Sequence, residues 1–206
     1  MDVSKINSLV ELFFKKAEEV DKKKPFLKWL NSKNNHQYNW EEVIENIFQL
    51  SHKIKKLIKA GDRVLLLSEN RPEWLISDIA IMNAGGITVP IFTTYSSADY
   101  EYILKDCSPS LIIVSTDIQY KKIDKFIENI KVMSFETIKA ESIVYQNIFK
   151  ESYEKEINKD LNRKTPACII YTSGTSGNPK GVILSHGGIL SNCEGALELL
   201  QPLIKK

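Results

Sequence analysis

Residues 172–181 read Thr-Ser-Gly-Thr-Ser-Gly-Asn-Pro-Lys-Gly, a hydroxyl-rich and glycine-rich stretch holding one lysine between two apolar runs. Glycines let a backbone turn tightly and come close to a ligand. Successive backbone N–H groups in such turns form a concave anion site. Ser and Thr hydroxyls add donors, and Lys180 adds a point charge suited to phosphate. A polyphosphate uses all of these groups at once, which nominates Thr172, Ser173, Gly174, Thr175, Ser176, Gly177 and Lys180 as its ligands. Other phosphate and nucleophile patterns fail on spacing. Lys180 is preceded by Pro179 and followed by Gly181, unlike a Walker A loop, and Ser176 is followed directly by Gly177, unlike a hydrolase elbow. No Gly-x-Gly-x-x-Gly occurs. The same letters also describe an ordinary surface hairpin, so composition leaves both readings open.

The elements that must position this loop follow from periodicity. Ser8-Leu9-Val10-Glu11 has capping-box form, with Leu9, Phe13, Ala17 and Val20 at helical spacing behind it. Residues 25–30 and 36–40 flank a polar turn and predict a small hairpin. Asn39 to Glu42 repeats the capping pattern, Val43, Ile47, Leu50, Ile54 and Leu57 share one helical face, and Gly61 is the expected stop. From residue 63 short apolar runs (63–68, 87–92, 110–115, 131–135) alternate with helical stretches that start near Pro72, Ala98 and Asp117. Residues 136–164 predict a helix or two with loops. A strand at 167–171, the loop, a strand at 181–184 and a helix over 188–201 complete the chain. Uninterrupted apolar strands between amphipathic helices indicate an α/β fold, a mainly parallel sheet covered by helices on both faces.

Composition narrows the function classes. In 206 residues, 28 Lys plus Arg against 26 Asp plus Glu leave a net charge of only +2, so no basic surface argues for nucleic acid. Cys107, Cys168 and Cys193 form no Cys-x-x-Cys and stand at no metal spacing from His36, His52 or His186, which supports neither a disulfide framework nor a zinc site. Free thiols suit a reducing compartment. No run approaches the roughly 18 apolar residues of a membrane span. The expected location is cytoplasmic. Phe13-Phe14-Lys15-Lys16 could touch a membrane peripherally or pack the first helix on the domain.

The stretch from Tyr171 to Val182 closely resembles the signature of AMP-forming acyl-CoA synthetases and their adenylating relatives, with Ser176 where that signature usually has Thr. Gly61-Asp62-Arg63-Val64, Asn70-Arg71-Pro72-Glu73-Trp74, Val89-Pro90-Ile91 and Tyr95-Ser96 look like the family's N-terminal region, and residues 100–106 look most like its long-chain fatty acyl branch. Thr165 and Gly188 depart from it, standing where many relatives carry an acidic residue and Asn. The resemblance implies two half-reactions. A carboxylate attacks the α-phosphate of ATP to give acyl-adenylate and pyrophosphate, and coenzyme A then displaces AMP. It implies ATP, fatty acid and coenzyme A as small-molecule substrates and Mg2+ as a helper. His186 becomes a candidate for the acyl pocket or a locally packed helix-start residue, and Ser185 a candidate N-cap; Trp40 and Trp74 fit core positions better than ligand contacts.

Family members are more than twice this length. The resemblance therefore makes residues 1–206 the N-terminal part of an adenylation domain. The adenine and ribose contacts, the magnesium ligand, much of the acyl pocket and a C-terminal domain with a catalytic lysine are expected beyond Lys206. On this reading the chain alone does not complete adenylation. A ligase for an aryl or amino acid, and a truncated non-catalytic nucleotide-binding protein, are the alternatives.

Overall fold

The computed structural model describes residues 2–30, 35–148, 152–172 and 178–204. Helix α1 (Leu9–Glu18) starts where Ser8 Oγ accepts the Glu11 N–H at 3.1 Å. Glu11 does not close a capping box on Ser8; its carboxylate accepts the Asn7 N–H at 2.8 Å instead. The buried stripe runs through Val10, Phe14 and Ala17, with Leu9 and Phe13 packed at its flank, so the helix is turned by about one residue from the face predicted. Phe14 stacks on Phe48 and Phe13 lies 5.7 Å from Trp40, so both rings pack inward.

Strands β1 (Pro25–Leu30) and β2 (Asn35–Asn39) pair antiparallel as a separate two-stranded sheet. Asn39 then caps α2 (Trp40–Lys55) in a full capping box with Glu42, and Trp40 stacks on Phe26 at 3.7 Å. The helix ends at Lys55, not at Gly61. Gly61 and Gly85 both take left-handed backbone, and the Gly61 N–H donates to Gly85 O at 2.8 Å, so the glycine docks two turns rather than terminating a helix.

The main sheet comprises β3 (Arg63–Leu67), β4 (Ile87–Ile91), β5 (Leu111–Val114), β6 (Lys131–Ser134), β7 (Ile143–Val144), β8 (Pro166–Thr172) and β9 (Lys180–Ser185). Its order is β7-β6-β5-β3-β4-β8-β9, parallel throughout except that β9 runs antiparallel to β8. The β3-to-β4 and β4-to-β5 crossovers step in opposite directions along the sheet. Right-handed connections therefore place α3 (Pro72–Asn83) and α4 (Ser97–Cys107) on opposite faces. Strand alternation matches this division. Val64, Leu66, Leu111 and Ile113 join the core under α1, α2 and α3, whereas Leu65, Leu67, Ile112 and Val114 join the core under α4. The expectation of a parallel sheet covered on both faces is met.

Three stretches differ from the periodic reading. The helix expected near Asp117 is one turn, α5 (Asp117–Tyr120), followed by a 3-10 turn at Asp124–Phe126. Residues 136–164 hold only β7 and the single turn α6 (Tyr145–Ile148) among the described residues. The last helix, α7, spans His186–Ile204 and starts two residues before the predicted point. Ser185 Oγ accepts the Gly188 N–H at 3.1 Å, which makes Ser185 its N-cap.

Candidate functional site

Because β8 runs parallel to β4, its end at Thr172 lies on the edge of the sheet where β3, β4 and β5 also end. This carboxyl edge is where open α/β sheets carry their ligands. Thr172 and Lys180 are register partners at the loop end of the β8–β9 hairpin, both exposed. Ser173, Gly174, Thr175, Ser176 and Gly177 lie outside the described residues.

His186 stands elsewhere. It follows the far end of β9, about 20 Å from Lys180 at strand rise. It is 1% exposed, and its Nδ1 accepts the Leu9 N–H at the start of α1 at 3.3 Å. Burial pushes its imidazole down to about 4, so it is neutral at ordinary pH. The hairpin brings Thr172 and Lys180 together and leaves His186 apart. Thr165, one of the departures noted in the sequence, accepts the His186 N–H through its carbonyl at 3.0 Å.

The carboxyl edge is braced by residues to which the sequence assigned no role, although Arg71, Glu73 and Tyr95 stand in the family-like stretches. Glu69, just past β3, accepts from Ser115 Oγ at 2.6 Å and Gln119 Nε2 at 2.5 Å beyond β5. Burial acts to raise its carboxyl, but these donors hold it below the usual range. Arg71 lies over the Trp29 ring at 4.4 Å and pairs with Glu73 and Glu136, each at 2.8 Å, tying the β1–β2 sheet and the end of β6 to the start of α3. Tyr95 OH donates to the Tyr171 carbonyl at 3.2 Å. These contacts join residues far apart in sequence, so spacing carries no sign of them.

Among the described residues no three His, Cys, Asp or Glu side chains gather where they could hold a metal ion. A cleft of about 500 Å3 between α2 and residues 154–160 is lined by none of the nominated residues. No helix among the described residues is long and apolar enough to cross a membrane.

Comparison with known proteins agrees with this fold. The family described as AMP-binding enzyme matches residues 13–203. The long-chain-fatty-acid–CoA ligase ACSBG1 of Bos taurus is 32% identical over 173 residues, covering 74% of this chain and 24% of that protein. The long-chain-fatty-acid–CoA ligase FadD15 of Mycobacterium bovis is 30% identical over 159 residues, covering 72% of this chain and 26% of that protein. The chain thus spans about a quarter of the length of these curated relatives. Among solved structures, the anthranilate CoA ligase AuaEII with anthranoyl-AMP aligns at a TM-score of 0.77 and 24% identity, over 91% of this chain and 37% of that one. A fatty acyl-adenylate ligase from L. pneumophila, with acyl adenylate and pyrophosphate, aligns at 0.74 and 21% identity, over 95% of this chain and 33% of that one. These two structures establish the shared fold. With a family match over residues 13–203, and relatives of 30% identity or more over about three quarters of the chain, this protein belongs to the AMP-binding enzyme family.

Proposed function

We propose that this chain forms the N-terminal part of an adenylation domain that activates a fatty acid with ATP and transfers the acyl group to coenzyme A. The observation that carries the reading is the Thr172–Lys180 register pair, a hydroxyl residue and a lysine at the loop end of a hairpin on the carboxyl edge of the sheet. The fatty acid assignment rests on the long-chain ligases among the relatives.

In the first step a carboxylate oxygen bonds to the α-phosphorus of ATP, and the bond to the pyrophosphate oxygen breaks. Negative charge grows on the leaving pyrophosphate, so donors fixed at the β and γ phosphates lower the barrier. Lys180 supplies a full charge there and Thr172 a hydroxyl. Ser173, Gly174, Thr175, Ser176 and Gly177 add backbone and hydroxyl donors by their chemistry. In the second step the coenzyme A sulfur bonds to the acyl carbon and AMP leaves with its phosphate oxygen. His186, held against α1, acts on this reading through packing rather than contact with the acid.

The test is ATP–pyrophosphate exchange by the full-length protein that carries this chain, with long-chain fatty, aryl and amino acids supplied in turn. Exchange that depends on fatty acid, and that drops about 100-fold in Lys180→Met, is the expected result. Exchange with aryl or amino acids alone would replace the substrate class. Absence of exchange with every acid, in a protein that still binds ATP, would favour a non-catalytic nucleotide-binding protein. The 206-residue chain by itself is expected to show none.

A further inference from the structure

Lys180 opens β9, which pairs antiparallel with β8 from the Thr172–Lys180 register pair onward. Directly behind that pair lies a tight constellation. Tyr171 is the register partner of Gly181 and only 3% exposed. A Cβ built on Gly181 would stand 3.1 Å from Tyr171 Cζ and 3.0 Å from Ile169 Cγ2, so the tyrosine ring lies across the space a side chain there would need. The Tyr171 hydroxyl donates to the Asp106 carboxylate on α4. The Tyr171 carbonyl accepts from Tyr95, in a loop itself held by Tyr100 OH on Phe92 O at 2.9 Å and Lys122 Nζ on Thr93 O at 2.6 Å.

We infer that Tyr171, braced by Asp106 and seated on Gly181, is a positioning residue that sets the place of Lys180 and Thr172 against the polyphosphate. Neighbouring strand residues project to opposite faces, so the ring anchors one face while Thr172 and Lys180 work from the other. The first residue of a strand beside a hairpin loop has few contacts of its own unless a neighbouring side chain ties it. Catalysis by positioned charge tolerates little fraying, since a displacement of about 1 Å can lower a rate roughly 100-fold. Burial, and then the Asp106 carboxylate, push the Tyr171 phenol far above its usual range, so the donor is kept at any working pH. The inference rests on the polyphosphate reading of the hairpin.

The test compares Tyr171→Phe, Asp106→Leu and Asp106→Asn in the full-length protein that carries this chain. Two readouts are taken: kcat and KM in ATP–pyrophosphate exchange, and amide hydrogen exchange over residues 180–182. Asp106 is exposed and Tyr171→Phe keeps the ring, so all three variants should fold. Tyr171→Phe and Asp106→Leu are expected to lower kcat about tenfold at unchanged KM for the acid, with amide exchange at 180–182 about tenfold faster. Asp106→Asn, whose amide oxygen still accepts, should recover most of the rate. Wild-type kcat in Tyr171→Phe, or no rescue by Asn, would overturn the inference. If the wild type shows no pyrophosphate exchange with any acid, the adenylation reading fails on its own. Amide exchange then decides the anchor, with unchanged protection in Tyr171→Phe ruling it out.

Discussion

Asn83 Oδ1, at the end of α3, accepts the backbone N–H of Asn158 at 2.9 Å. Its Nδ2 donates to Ser51 Oγ and to the Glu156 carbonyl, both at 2.9 Å. One buried amide, 4% exposed, thus fastens the irregular 154–160 segment across α2 and α3. Asn83→Leu removes three bonds and strands their partners, so it should cost about 2–4 kcal/mol in urea unfolding, with Asn158 losing amide protection. Wild-type stability in that variant would mean the segment is held by its apolar contacts instead.

His186 makes a pH dependence with a definite sign. Its imidazole is lowered by burial to about 4, so the unfolded chain takes up its proton first as pH falls. The folded state keeps its full margin above about pH 6.5 and loses it progressively down to about pH 4. His186→Asn, which can still accept the Leu9 N–H, should lack this loss, a difference of about 1–3 kcal/mol by pH 4 in paired denaturation curves.

Asp78 works the other way. Burial between α3 and the sheet pushes its carboxyl up to about 6, so the folded state binds this proton more tightly than the unfolded chain. Stability from this group is present at low pH and lost as pH rises from about 4 to above 6. Asp78→Asn should therefore raise the unfolding midpoint at pH 7 by an amount equal to about 1–2 kcal/mol, and the gain should vanish below about pH 4. A gain that stays constant with pH would point to packing rather than charge.

Arg71 and Glu136 form an asymmetric pair. The Arg71 side chain is 7% exposed and Glu136 is 53% exposed. Removing the arginine strands Glu73, whose side chain is 17% exposed, and unstacks Trp29. Arg71→Met should cost about 2–4 kcal/mol, whereas Glu136→Gln should cost under about 1 kcal/mol because its charge stays solvated. Arg71→Lys should behave more like Met than like the wild type, since an ammonium cannot pair in a fork and stack at once. Thermal unfolding of the three variants checks the order.

Much of this protein was legible from local signals. Apolar runs bounded by turn residues marked six of the strands in the main sheet to within a residue or two. Asn39 and Glu42 announced α2, and Pro72 announced α3, because caps and period depend only on neighbours within a turn. The glycines, hydroxyls and lysine of 172–181 pointed to an anion on chemistry alone, and the family match covers that stretch. Tertiary structure decided the rest, because it rests on contacts between distant residues. Which face of α1 is buried depended on Phe48 and Trp40. α2 stops at Lys55, and Gly61 instead docks its turn on the Gly85 carbonyl, a partner 24 residues away. Residues 152–165 form neither helix nor strand, and Asn83 supplies partners for two of their backbone groups, the Glu156 carbonyl and the Asn158 N–H. Tyr171 reaches Asp106 across 65 residues, a bond no spacing rule could foresee. Short-range chemistry therefore nominated the groups for an anion, and only the packed sheet determined where Thr172 and Lys180 stand.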